Sequence, residues 1–220
     1  MPMRDQVVLF DVDNTLLDND HVQADLRAYL TQQYGQDICD LYWSGYDVLF
    51  KEEGYADYLG AAQRLRLQRP HDLRLLAVGK WLLEYPYRDR LYSNAIASVR
   101  FAEQWGKCAI LSDGDAVFQP RKIERSGLSS ALDGNIMIYV HKELELADIT
   151  ARYPARHYVM IDDKIRILAA MKKGWGDKIT TIFVRQGHYA LDPKIVAAYP
   201  PADITIERIG DLPSVQLPKT

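Results

Sequence analysis

Two pairs of carboxylates, each closing a run of apolar residues, are the groups in this chain best placed to do chemistry. Phe10 is followed by Asp11, Val12, Asp13, Asn14 and Thr15, and Met160-Ile161 is followed by Asp162 and Asp163. Crowded acids repel one another unless a cation neutralises them. A hard divalent ion such as magnesium is the natural partner, because it favours carboxylate and phosphate oxygens. Two further groups end apolar runs. Ser112, Asp113 and Gly114 follow Ile110-Leu111, giving a hydroxyl and a turn able to aim backbone N–H groups at a phosphate. Lys142 follows Val140-His141, a point charge suited to phosphate and to screening a carboxylate nucleophile. Each feature alone has a plain explanation as a solvated turn, a helix cap or a surface lysine. Their order carries the argument, since each ends a successive predicted strand.

The elements that must position these groups are legible as short apolar runs. Residues 7–10, 108–111, 136–140, 158–161, 179–184 and 204–206 are apolar at most positions rather than alternating. That pattern predicts strands buried on both faces of a parallel sheet. Helical segments are predicted near 115–126, 142–153 and 163–173, so the reading is an α/β fold, a doubly wound parallel sheet. The rhythm breaks once. Nearly a hundred residues separate Phe10 from Cys108, too many for one crossover. Helices are predicted there near 20–33, 38–52, 54–67 and 72–84, with Gly35, Gly54, Pro70 and Pro86 at the breaks. They form a helical insert ahead of a further helix near 93–106.

Composition bounds the rest. The chain has 220 residues, 48% hydrophobic and 26% charged, with a formal net charge of −3. No basic block supports binding to nucleic acid or an anionic membrane. Lys172-Lys173 and Arg64, Arg66 and Arg69 read as solvated helix faces. Cys39 and Cys108 set no disulfide or zinc pattern, and Cys108 reads as a buried core residue. Residues 1–6 lead straight into the first strand without a signal-peptide core, no run reaches membrane-spanning length, and a cytoplasmic location is predicted. The last residues, from Leu212, read as a loose tail.

The ordered set resembles the haloacid dehalogenase-like (HAD) superfamily. Its first motif, Asp-x-Asp-x-Thr, stands as Asp11, Asp13 and Thr15. The second stands as Ser112, the third as Lys142, and the fourth as Asp162 and Asp163. Lys122 also follows the second motif but falls inside a predicted helix, so Lys142 is preferred. The resemblance implies a HAD-like Rossmannoid core over 1–17 and 91–220, with a helical cap domain over 18–90. It also implies roles. Asp11 would be the nucleophile and Asp13 the general acid and base, with Thr15 holding the first loop. Ser112, Asp113, Gly114 and Lys142 would bind the phosphoryl group. Mg2+ would be held by Asp11, the Asp13 backbone carbonyl, and Asp162 and Asp163. Many relatives carry another acid four residues past the fourth motif, where this chain has Ile167.

Asp13 favours phosphate-ester chemistry, because a departing halide needs no proton and the dehalogenases of the superfamily lack an acid there. The function implied is magnesium-dependent hydrolysis of a small-molecule phosphate monoester. A phosphomutase shares these motifs, and a non-catalytic phosphate-binding or signalling protein is the alternative from another class. Receiver domains also phosphorylate an Asp, but they are shorter and place their acid pair on a different strand. The insert is rich in aromatics: Tyr29, Tyr34, Tyr42, Trp43, Tyr46, Phe50, Tyr55, Tyr58 and Trp81. These predict a packed cap, with a stacking platform for the leaving group as the sharper reading. His21 and His188 are candidates to line the pocket. The sequence sets no oligomeric state.

Overall fold

The computed structural model describes residues 4–218, so Met1 to Met3 of the segment predicted to run straight into the first strand, and Lys219 and Thr220 of the predicted tail, lie outside the described residues. Six strands form one parallel sheet: β1 (Arg4–Phe10), β2 (Lys107–Asp113), β3 (Ile136–Tyr139), β4 (Ala155–Asp162), β5 (Ile179–Val184) and β6 (Ile204–Ile206). Their spatial order is β3-β2-β1-β4-β5-β6. The chain winds outward on one side of β1, then returns to its other side. The carboxyl ends of β1, β2 and β4 therefore flank a switch point, where open α/β sheets form ligand crevices.

Register explains why the strands read as unbroken apolar runs. Val8 pairs with Cys108 and Val159, and Phe10 with Ile110 and Ile161. Val8, Phe10, Ile110 and Ile161 enter one core, whereas Val7, Leu9, Leu111 and Met160 enter a second core on the opposite face. Alternate residues thus fill two different cores, as a sheet covered on both faces requires.

The predicted insert is helical: α1 (Asn19–Tyr34), α2 (Gln36–Glu53), α3 (Tyr58–Gln68) and α4 (Leu76–Glu84). Its residues Val22, Leu26, Tyr42 and Leu82 share the core that contains Phe10. The helix predicted from 54 begins later, at Tyr58. Gly54 ends α2 at φ 78°, and Asp57 caps α3 by accepting the Gly60 N–H at 2.7 Å. The core helices are α5 (Ala95–Ala102), α6 (Phe118–Ser126), α7 (Leu128–Ala131), α8 (Leu146–Arg152), α9 (Ile165–Trp175), α10 (Gly187–Leu191) and α11 (Pro193–Ala197). The helix predicted over 142–153 divides into a 3-10 turn, Lys142–Leu144, and α8.

One expectation is corrected. The segment from Leu212 is not a loose tail throughout: Ile209–Ser214 is a 3-10 helix whose Ile209 and Leu212 are fully buried. It is fastened to α5 by Ser98 Oγ, which donates to the Ile209 carbonyl at 2.8 Å. Among the described residues no helix is long and apolar enough to cross a membrane. Cys39 and Cys108 are buried free thiols, and burial pushes Cys108 up to about 12.

Candidate active site

The loop after β1 sets the nucleophile. Val12, Leu16 and Leu17 are buried, and the Leu16 and Leu17 N–H groups both donate to the Val12 carbonyl at 2.9 Å. Asn14 adopts a left-handed φ of 61°. Its side-chain oxygen accepts the N–H groups of Asn19 and Asp20, tying the loop to the start of α1. From the far side, Gln186 Nε2 donates to the carbonyls of Asn14 and Thr15 at 3.3 and 3.1 Å. Gly187, at φ 72°, lets this segment approach: a Cβ there would fall 2.5 Å from Asn14 Cβ. In this region the sequence predicts only His188 as a candidate. The residues that fasten the loop are Asn14, Gln186 and Gly187.

Lys142 sits at the centre of the acids. Its ammonium lies 2.5 Å from Asp11 Oδ1 and 2.7 Å from Asp162 Oδ2, and donates to the Leu111 carbonyl at 3.2 Å. The group is 1% exposed. Burial alone would depress its pKa, but Asp11, Asp162 and Asp113 outweigh that and hold it above the ordinary lysine value. Thr15 Oγ1 donates to Asp11 Oδ2 at 3.3 Å and accepts the Asp163 N–H at 3.0 Å, linking the first and fourth motifs.

Asp11, Asp162 and Asp163 are all buried, and each offers a carboxylate oxygen within 4.8 Å of the others. Both Asp163 oxygens are buried without a hydrogen-bond partner. Burial pushes Asp162 up to about 6 against the pull of Lys142, and pushes Asp163 well above the carboxylate range with Asp162 adding to the effect. An oxygen-lined, electron-rich, unsatisfied cluster of this kind fits a hard divalent cation. Ile167, at the place where the resemblance leads many members to carry a further acid, is a fully buried core residue.

The second-motif turn does several separate jobs. Ser112 Oγ donates to the Asp113 carbonyl at 3.2 Å and accepts from Gln119 Nε2 at 3.0 Å. Asp113 Oδ1 accepts the Lys142 backbone N–H at 2.8 Å, which fixes the lysine's position. The Gly114 N–H is committed to the Tyr139 carbonyl at 2.9 Å. A Cβ at Gly114 would fall 2.6 Å from Gln119 Cβ, so this glycine admits Gln119 to the site.

Asp13 stands outside the acid triad. Lys122 Nζ reaches its two oxygens at 2.8 and 2.9 Å, and Gln119 Nε2 donates to Oδ2 at 3.3 Å. The sequence places Lys122 inside a predicted helix and prefers Lys142 for the third motif. It is on a helix, α6, yet its side chain is 0% exposed and sits in the site. The signal was available: Phe118, Gln119, Lys122, Ile123 and Ser126 are buried at helical spacing, which places the lysine on the inward stripe.

A cavity of about 760 Å³ opens above these groups, between the insert and the core. Asp13, Asp113 and Lys164 line it near the acids. Tyr46, Phe50 and Tyr55 form its wall from the insert, and His188, Tyr189 and Lys194 its wall from the core. The other predicted aromatics pack elsewhere. Tyr42 and Tyr58 are buried in the core, and Tyr29 stacks on Trp81 with ring centroids 5.2 Å apart. His21 pairs with Asp18 outside the cavity.

No protein-family model and no curated protein matches the sequence. Solved structures do. A haloacid dehalogenase-like hydrolase from Burkholderia xenovorans LB400 is 56% identical, with a TM-score of 0.93 over 97% of this chain and 100% of that one. An L-2-haloacid dehalogenase from Xanthobacter autotrophicus, solved with chloropropionic acid covalently bound, is 16% identical with a TM-score of 0.63 over 96% and 97% of the two chains. A HAD hydrolase from Bacillus subtilis bound to magnesium is 16% identical, with a TM-score of 0.59 over 95% and 97%. These last two share the fold.

Proposed function

The chain belongs to the haloacid dehalogenase-like hydrolases, and within them we propose that it is a magnesium-dependent phosphatase acting on a small-molecule phosphate monoester. The observation that carries this reading is the buried triad of Asp11, Asp162 and Asp163, with both Asp163 oxygens unpartnered. The triad fits a divalent cation, and the reaction that calls for one beside a carboxylate nucleophile is phosphoryl transfer. The carboxylates of Asp11, Asp162 and Asp163 would hold magnesium, which supplies charge neutralisation to the phosphate oxygens.

The side chains divide the remaining work. An Asp11 oxygen forms a bond to phosphorus as the ester P–O bond breaks, and the departing oxygen takes a proton from Asp13. Asp13 then takes a proton from water as that water attacks phosphorus. The Asp11–phosphorus bond breaks, inorganic phosphate leaves, and Asp11 is again a carboxylate and Asp13 protonated. Lys142, 2.5 Å from Asp11, screens the nucleophile from the incoming phosphate. Ser112, held by Gln119, offers its hydroxyl to the transferring group. The insert over 18–90 acts as a cap that excludes water and contacts the leaving group.

The likeness to dehalogenases favours a second reading, displacement of halide from a 2-haloacid by Asp11. A halide leaves without a proton, and that reaction gives Asp13 and a cation no task. One experiment separates the two. Phosphate release from aryl and alkyl phosphates, and halide release from 2-haloacids, are measured with magnesium or EDTA. Wild type is run beside Asp11→Asn. Magnesium-dependent phosphate release, lowered by on the order of 10⁴-fold or more in Asp11→Asn, is expected. Halide release without phosphate release, or turnover indifferent to EDTA, overturns the reading.

A further inference from the structure

A buried lysine on the proton-transfer residue is unexplained by the roles above. Lys122 is fully buried, which is costly for an ammonium unless its donors are satisfied. It has three N–H donors and three acceptors: Asp13 Oδ1 at 2.8 Å, Asp13 Oδ2 at 2.9 Å and Asn19 Oδ1 at 3.2 Å. Its ammonium lies 5.0 Å from the ring centroid of Phe118 and 5.7 Å from that of Tyr58. Asn19 Nδ2 donates in turn to the Tyr58 hydroxyl at 3.2 Å. The lysine is therefore held by α6, by the start of α1 and by the start of α3, and has little freedom of its own.

Asp13 is different. Its carboxylate is 23% exposed and lines the cavity. A short side chain at a cavity edge can rotate into several orientations, and proton transfer needs one within hydrogen-bond reach of the leaving oxygen. Lys122 on both oxygens, with Gln119 on Oδ2, fixes the plane of that carboxylate. We propose that Lys122 is a positioning residue that, with Gln119, aims Asp13 at the leaving-group oxygen. The role rests on the phosphatase reading and adds to it a residue that acts only through Asp13.

That indirect action has a signature. A nitrophenolate departs with little help from a proton donor, whereas a simple alkoxide needs one. Misaiming Asp13 therefore penalises alkyl esters more than aryl esters in kcat/KM, which reports the steps through phosphoryl transfer to Asp11. A merely structural defect lowers both alike. The test compares p-nitrophenyl phosphate with a simple alkyl phosphate under saturating magnesium, in wild type, Lys122→Met, Lys122→Arg and Gln119→Leu. Lys122→Met keeps an apolar stem beside the two rings and removes the ammonium.

For Lys122→Met, kcat/KM on the alkyl ester is expected to fall by on the order of 100-fold, within the range of general-acid contributions, and by less than about 10-fold on the aryl ester. Lys122→Arg should restore part of the alkyl activity. Gln119→Leu frees Ser112 as well as Asp13, so both esters should fall and the alkyl ester further, and that alkyl-to-aryl ratio carries the test if Lys122→Met does not fold. An unchanged alkyl-to-aryl ratio in folded variants overturns the positioning role while leaving the phosphatase reading intact. A wild type inert on every ester overturns that reading, and this role with it.

Discussion

On the floor of the cleft every ammonium has an acid against it: Lys142 on Asp11 and Asp162, and Lys122 on Asp13. On the walls, Lys51 and Lys194 line the same cavity with no carboxylate within ion-pair distance among the described residues. Lys164, half-buried between floor and wall, has no ion pair among them either, but against the pull of burial it is held above the ordinary lysine value by Asp163, Asp11 and Asp113. The two floor ammoniums are also buried, whereas Phe50, Lys51 and Lys194 are exposed. The difference follows from the tasks. A nucleophile and a proton carrier must hold one geometry through every turnover, so their partners are buried, short and numerous. Groups that greet a leaving group can stay solvated and gain their partner when the ligand arrives.

The comparison breaks most visibly at Lys142. Lys142→Met removes the one ammonium in ion-pair contact with Asp11 among the described residues and leaves Asp11 and Asp162 buried beside Asp163 with no ion-pair partner. Activity is expected to fall by on the order of 10³-fold or more, comparable to or beyond the loss of a main electrostatic stabiliser. Breaking a buried ion pair from one side costs about 3–5 kcal/mol, so the metal-free melting temperature should drop as well. Steady-state turnover and a thermal melt check both. A loss of less than about tenfold would show that the floor tolerates an unpaired acid and that its pairing does not serve catalysis.

The acid triad sharpens the comparison through pH. The folded pKa values of Asp162 and Asp163 are raised above the 3.8 of a free side chain, Asp162 to about 6, with burial as the largest cause. A raised folded pKa means the folded state binds its proton more tightly than the unfolded chain. The associated stability is present below about 4 and is lost as pH rises through about 6. In EDTA the melting temperature should therefore decline over that interval. Magnesium at 100 times its dissociation constant should recover about 2.7 kcal/mol at pH 7.5, roughly 5–10 °C for a chain of this size. Asp163→Asn should melt no lower than wild type in EDTA, since it deletes an unpartnered charge, and should lose the magnesium shift. A magnesium shift that persists in Asp163→Asn would place the cation elsewhere.

The floor was largely legible in the sequence and the walls were not, for physical reasons. Strands buried on both faces read as unbroken apolar runs, so Asp11, Ser112, Asp162 and Asp163 stand out where those runs end. Their neighbours in space follow from parallel register alone. Lys122 was hidden because a charged residue in a helix ordinarily faces water. Its burial depends on Tyr58, which lies over sixty residues earlier, although its place on the stripe with Phe118 and Ile123 was a readable sign. Gln186 and Gly187 were hidden because their contacts with the first loop close only when β5 comes to lie beside β4. Among the insert aromatics, nothing in type or spacing separated Tyr46, which lines the cavity, from Tyr42, which is buried beneath it.

The smallest effects should come from the walls, and their pattern matters more than their size. Tyr46 and Phe50 stack with centroids 6.3 Å apart on the insert side, and Lys164 lies 5.4 Å above the Tyr189 ring on the core side. Lys164 is the wall cation nearest the chemistry, following Asp163 directly in the chain. Lys164→Met should lower kcat/KM by about tenfold or less for esters whose leaving group carries a second negative charge, a change of at most about 1.4 kcal/mol. Neutral esters should change less. Phe50→Ala should instead weaken esters with aromatic leaving groups, again within about tenfold. The measurement is the rank order of a panel that varies charge and ring content independently. If each variant lowers every ester by the same factor, these residues support the cleft without reading the leaving group. Floor and walls would then share one task, not two.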